Sequence, residues 1–142
     1  FVGVPQGYRT ETLSVAGQAI HPLSIGNPHA VIFVEDVDEA DVSTIGPRVE
    51  NDPMFPNRTN VEFVEVLEEG EGIRARIWER GVGETQASGT GATASAYMAH
   101  KVHGVDQPVA VSLRGGRLLI SIDEDGAWME GPADVVFSGS VD

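Results

Sequence analysis

The chain has 142 residues, enough for one domain with its own core, and its 41% hydrophobic and 22% charged content is ordinary for a globular protein. A net charge of −13 argues against a nucleic-acid partner unless Lys and Arg cluster on one face, and the 9 present are scattered. The lack of cysteine excludes disulfides, thiolate metal sites and a thiol nucleophile together. No stretch nears the length of a membrane span and no charged leader precedes an apolar block, so the expectation is a cytoplasmic protein without a membrane partner. Phe1 in place of an initiating methionine reads as a processed, trimmed or excised chain.

Short alternating segments bounded by turn residues predict an antiparallel sheet built from hairpins. Thr10 to Val15 and Gln18 to Ile25 flank the turn Ala16-Gly17, and Ala30 to Val34 is the next strand. A first helix is predicted from the N-cap Asp41 to Asp52-Pro53. Asn60 to Leu67 alternates Val61, Phe63, Val64 and Val66 with Glu62 and Glu65. The acidic turn Glu68-Glu69-Gly70-Glu71-Gly72 then leads into a strand from Ile73 to Glu79. That strand sets Arg74, Arg76, Trp78 and Arg80 on one face and Ala75, Ile77 and Glu79 on the other, with Arg74 and Arg76 expected on a solvated face.

A glycine-punctuated loop, Glu79 to Ala92, runs into the second predicted helix, which starts at Gly89-Thr90, ends near His103 and is stopped by Gly104. Its residues Ala92, Ala94, Ala96, Tyr97, Met98 and Ala99 are small or apolar almost all round, as in a buried helix. The free N–H groups at its start suit a carboxylate or phosphate. His100 and His103 are expected to favour the helix C-terminus rather than to ligate a metal. Val109 to Leu113, Arg117 to Ile122, Ala127 to Gly131 and Val135 to Phe137 complete the strands, with Asp123 to Gly126 read as a hairpin turn rather than a calcium loop. The fold class is therefore α+β: an antiparallel, strongly curved, barrel-like sheet wrapped around one central buried helix, as a single domain over residues 1–142.

Polar residues gather where strands end: Gly26-Asn27-Pro28-His29, Phe55 to Asn60, Glu79-Arg80-Gly81 and Ser88-Gly89-Thr90. Asn27 and Asn60 each offer a donor and an acceptor, Arg80 a fork for a carboxylate, and Glu79 an acceptor for an ammonium group. Together they would recognise an α-amino acid. Each also has a plainer reading: Asn27 as a turn opener, Asn60 as a partner for local backbone groups, Glu79 and Arg80 as a sheet-edge ion pair, His29 as a buried, satisfied histidine. A nucleotide loop is disfavoured because both the P-loop lysine and the dinucleotide spacing are missing.

Gly26 to Val34, Phe55 to Val64, Glu79 to Thr85 and Gly89 to Ala92 resemble, in order, motifs of the carboxyl-terminal half of the diaminopimelate epimerase family, and the ending Gly131-Pro132-Ala133 is similar too. The resemblance implies a cofactor-independent isomerase, without a metal, that interconverts LL- and meso-diaminopimelate on the route to lysine and peptidoglycan. Two cysteines, one from each of two similar domains, move the α-proton. By the same resemblance Asn27, Asn60, Glu79 and Arg80 match substrate-contacting positions, Gly89 and Thr90 match the helix start that receives the α-carboxylate, and His29 supports the acid–base pair.

Two departures are plain. Ser88 stands where the family has its second catalytic cysteine, and the family's first domain is not part of these residues. A helix N-terminus stabilises an anion by only about 1–2 kcal/mol, roughly one pKa unit, far too little to make a serine hydroxyl a base at neutral pH. The chain alone is therefore expected to be inactive, and a non-catalytic amino-acid-binding or self-assembling half-domain is the alternative. Residues 135–141 are expected to form a strand that completes the missing domain. The expected partners are a diaminopimelate-like amino acid and either that domain or a second copy, the latter making a homodimer with two Ser88 side chains across a cleft.

Overall fold

Alternation along the strands sends apolar side chains to both faces of one sheet, and each face is covered by a helix. The protein is described here by a computed structural model covering residues 1–131. Its elements run β1 (Leu13–Val15), β2 (Gln18–Ser24), β3 (Pro28–Phe33), α1 (Val42–Glu50), β4 (Asn60–Val66), β5 (Ile73–Glu79), β6 (Gly83–Thr85), α2 (Gly89–His103), β7 (Val109–Leu113), β8 (Gly116–Asp123) and β9 (Gly126–Glu130). The sheet has nine strands in the order β1-β2-β3-β4-β5-β7-β8-β9, with β6 paired to β5. The expected strand at Val135 to Phe137, and the wider 135–141 segment, lie outside the described residues.

The sheet is mixed rather than antiparallel. β3 runs parallel to β4, and β5 parallel to β7. Parallel neighbours cannot be joined by a tight hairpin, and here the two crossovers hold α1 and α2. Nor do the described strands close into a barrel. Among the described residues the N-terminal segment links two distant strands of the sheet by single bridges, from Gly3 to Ala127 on β9 and from Gln6 to Ser24 on β2. The predicted hairpin at Ala16-Gly17 is present, with φ of 52° and 78° at the two turn residues, the left-handed pair a tight hairpin requires.

α2 is buried continuously from Gly91 to Ala99 and packs on Leu23, Val31, Val64, Ile73, Ala75, Val109, Val111 and Ile120. It ends at Gly104 in the left-handed conformation, and His100 Nδ1 lies 2.8 Å from the Val105 carbonyl, the C-terminal role expected for it. On the other face α1 packs Val42 and Val49 against Ala30, Ile32, Val61 and Phe63. A Cβ on Gly46 would come within 2.7 Å of the Trp78 ring, so a glycine is what lets the helix sit down on β5. Among the described residues no helix is long and apolar enough to cross a membrane.

On the face carrying Arg74 and Arg76, Arg76 is covered rather than solvated, whereas Arg74 stays partly exposed beside an exposed Asp38. Arg76, its side chain 12% exposed, grips both oxygens of Glu84 on β6 at 2.8 Å and donates to the Val37 and Ala40 carbonyls at 3.0 and 3.1 Å. The guanidinium holds the Glu84 carboxyl below the usual range. Arg74 donates from its single Nη2 to both oxygens of Asp38 at 2.8 Å. The two arginines thereby tie β5 to the segment leading into α1.

Gly72 has a φ of +83°, and a Cβ there would be driven into the Ala110 carbonyl of β7, whereas Gly70, at +85°, faces open space. Gly72→Ala is expected to destabilise the fold by about 2–4 kcal/mol, left-handed strain and overpacking together, and Gly70→Ala by only about 1. Urea denaturation of the two variants separates these terms.

Candidate active site

Register lines up three strand ends on the α2 side of the sheet. His29 opposes Asn60, and Val61 opposes Trp78, so His29 on β3, Asn60 on β4 and Glu79 on β5 form a row. Their neighbours Ala30, Val61 and Trp78 point to the α1 side, which leaves the polar members of each strand facing α2. Ser88 caps α2, and Thr90 in its first turn reaches Asn27 beside that row.

A line of polar contacts crosses the row. His29 Nδ1 lies 2.6 Å from Glu62 Oε1, and His29 Nε2 lies 3.0 Å from Asn27 Oδ1. Asn27 Nδ2 reaches Thr90 Oγ1 at 3.5 Å, the limit of a hydrogen bond. Asn27, His29 and Thr90 are thus brought together, as the sequence suggests. Glu62 is the residue that sequence reasoning missed. Its acidic alternation with valines does not mark a solvent face, because β4 lies between β3 and β5 and is covered on both sides. The available signal was its place inside the motif Asn60-Val61-Glu62-Phe63-Val64, an acid enclosed by apolar residues.

Burial pushes the Glu62 carboxyl above the ordinary glutamate range. His29 opposes the rise, and the nearby Glu79 charge adds to it. Glu62 Oε2 has no hydrogen-bond partner among the described residues.

Asn60 spends its amide on backbone. Nδ2 donates to the Pro28 carbonyl at 3.0 Å and Oδ1 accepts from the Arg80 N–H at 2.8 Å, so one side chain holds both the Asn27 turn and the Glu79-Arg80 turn. Glu50, at the end of α1 and 5% exposed, is a second missed carboxylate. It accepts from the Gly81 N–H at 2.8 Å, Trp78 Nε1 at 2.9 Å and Arg58 Nη1 at 3.2 Å. Glu79 and Arg80 are not an ion pair. Glu79 Oε1 accepts from the Thr85 hydroxyl at 3.2 Å, and Arg80 donates to the Asn57 carbonyl at 3.2 Å without an ion pair among the described residues.

Ser88 is the N-cap of α2. Its backbone is extended, and its Oγ accepts from the Gly91 N–H at 3.1 Å. That cap leaves the N–H groups of Gly89 and Thr90 without an intrahelical acceptor, in the position to receive an anion.

A family profile described as diaminopimelate epimerase matches residues 22–136. The chain is 49% identical over 133 residues to the diaminopimelate epimerase of Methanothermobacter thermautotrophicus, covering 89% of this chain and 46% of that protein. It is 46% identical over 140 residues to the enzyme of Ectopseudomonas mendocina, covering 96% and 50%. It therefore spans about half the length of the relatives it matches. Among solved structures, a phenazine biosynthesis PhzF-family protein of Enterococcus faecalis shares the fold, with a TM-score of 0.52 at 18% identity over 69% of this chain and 35% of that one.

Two outcomes follow from the site. Ser88→Ala removes the cap and is expected to cost about 1 kcal/mol in denaturant unfolding. Because its folded-state carboxyl is raised, Glu62 supports the fold fully below its unfolded pKa of about 4.3 and loses that support as pH rises through the higher folded value. Glu62→Gln, which cannot ionise, is expected to gain stability relative to the wild type as pH rises across that window. Unfolding curves collected at several pH values check it.

Proposed function

The chain belongs to the diaminopimelate epimerase family, and on that premise we propose that residues 1–142 form the domain that holds the reacting α-amino acid end of a diaminopimelate-like substrate. The supporting observation is the row of His29, Asn60 and Glu79 at adjacent strand ends, joined through Asn27 to Thr90 in the first turn of α2. The N–H groups of Gly89 and Thr90 suit the α-carboxylate, with Asn27 beside them. The Glu79 carboxylate suits the ammonium group, and Arg80 offers its fork to a carboxylate. Asn60 sets the two turns and meets the ligand only through them.

Inverting an α-carbon by two-base proton transfer needs one group on each face of that carbon. In this reading the α2 end of the domain supplies one face, at Ser88. The other comes from the family's first domain or from a second copy of this chain, in a cytoplasmic route to lysine. The serine hydroxyl cannot stand in for a thiolate, so the domain binds without exchanging the α-proton. The second reading, a non-catalytic amino-acid-binding or self-assembling half-domain, is favoured by one observation: Ser88 Oγ is already engaged as the helix cap.

NMR-detected α-proton exchange of LL- and meso-diaminopimelate in deuterated water tests the proposal. The wild-type chain is expected to show none, and exchange clearly above background would overturn its assigned inactivity. Exchange by Ser88→Cys supports a preformed half-site; silence of that variant with binding intact favours the second reading. In titration calorimetry with meso-diaminopimelate, Arg80→Ala and Glu79→Gln are each expected to weaken binding about tenfold, the loss of one charge-assisted contact.

A further inference from the structure

Glu62 is left unused by amino-acid recognition, yet it is the most enclosed ionisable group at the site. Its Oε1 lies 2.6 Å from His29 Nδ1, both side chains are 0% exposed, and its Oε2 has no partner among the described residues. On the far side of the ring, His29 Nε2 lies 3.0 Å from Asn27 Oδ1, while Asn27 Nδ2 points to Thr90 Oγ1. A carbonyl oxygen only accepts, so Nε2 carries a hydrogen.

Two arrangements of the remaining proton satisfy that geometry. Either a bare Nδ1 accepts from a protonated Glu62, or an imidazolium Nδ1–H faces a Glu62 carboxylate. The second puts two full charges in a dry site and leaves one carboxylate oxygen unpaired, which is the costlier outcome of burial. The first leaves only a neutral carbonyl oxygen unpaired. Glu79, facing the pair from β5, further disfavours a second negative charge, and α2 brings no ionisable side chain between Gly89 and Ser95 to offset one. The short O···N separation is that of a strong hydrogen bond.

We infer that Glu62 is a positioning residue whose carboxyl donates from Oε1 to His29 Nδ1, fixing the ring as the Nε2–H tautomer and turning the Asn27 amide N–H toward Thr90 at the start of α2. The His29–Glu62 pair then brings no net or separated charge to the part of the site beside Asn27 and Thr90, where an incoming carboxylate would sit. That last consequence rests on the proposed function; the tautomer does not.

The test uses the whole chain labelled with ¹⁵N at histidine, with His29 resonances assigned through His29→Gln. Long-range ¹⁵N–¹H correlation spectra at neutral pH are compared for the wild type, Glu62→Gln and Glu62→Leu. The glutamine amide can donate as the protonated acid does, so wild type and Glu62→Gln are expected to show a single N–H, at Nε2. Glu62→Leu, lacking a donor, is expected to show mixed tautomers and to bind meso-diaminopimelate about tenfold more weakly than Glu62→Gln. An imidazolium or an Nδ1–H tautomer in the wild type would overturn the assignment, as would a leucine variant with an unchanged tautomer. Should Glu62→Leu fail to fold, the other two spectra decide the matter alone. Failure of diaminopimelate to bind any of the three proteins would sink the proposed function and leave the tautomer result standing.

Discussion

Enclosure of α2 is the constraint from which the rest of the structure follows. A helix of alanine, threonine, tyrosine and methionine with no polar side has to be covered along its length, and the curved sheet does so from Gly91 to Ala99. Its first turn, in contrast, emerges at the polar ends of β3, β4 and β5. The candidate site lies where the apolar packing stops, with Thr90 of that turn reaching Asn27 beside the polar ends of these strands.

The geometry of the site is held by side chains that do not meet the ligand in the proposed function. Asn60 links the Pro28 carbonyl to the Arg80 N–H, and Glu50 links the Gly81 N–H, Trp78 and Arg58, so both polar turns are braced from the sheet and from the end of α1. Arg58, a non-glycine residue at a φ of +62°, holds that left-handed conformation within the Phe55 to Asn60 loop while its guanidinium reaches Glu50. Strain of about 1–3 kcal/mol at such a position persists only where the surroundings over-determine it.

Ser88 joins the two themes. As a helix cap a serine is well suited, because its oxygen is a good acceptor for the Gly91 N–H. As a proton-transfer group at neutral pH it is poor, because the field of a helix end shifts acidity by far less than separates a hydroxyl from a thiol. In the proposed function, the same position therefore keeps the helix start intact without supplying a proton-transfer group.

Much was legible in the sequence where the signal is local. The extent of α2 from Gly89 to His103, its stop at Gly104, the hairpin at Ala16-Gly17 and the three strands between Val109 and Glu130 depend on neighbours a few positions away, and they stand as expected. The motifs that carry Asn27, His29, Asn60, Glu79, Arg80, Gly89 and Thr90 marked the family, and the fold gathers them at one end of the sheet. The parallel pairings β3–β4 and β5–β7 were not legible, since strand direction depends on where a crossover packs and not on the strand's own alternation. For the same reason Glu62 and Arg76 could not be placed from their spacing. Period-two alternation assigns a residue to a face of a strand, but whether that face meets water, a helix or another charge is decided by contacts distant in sequence. The sequence by itself thus determined most of the elements and the family, and it nominated the candidate site residues; only the tertiary structure decided that β4 is covered on both sides, and hence that Glu62 is held dry against His29.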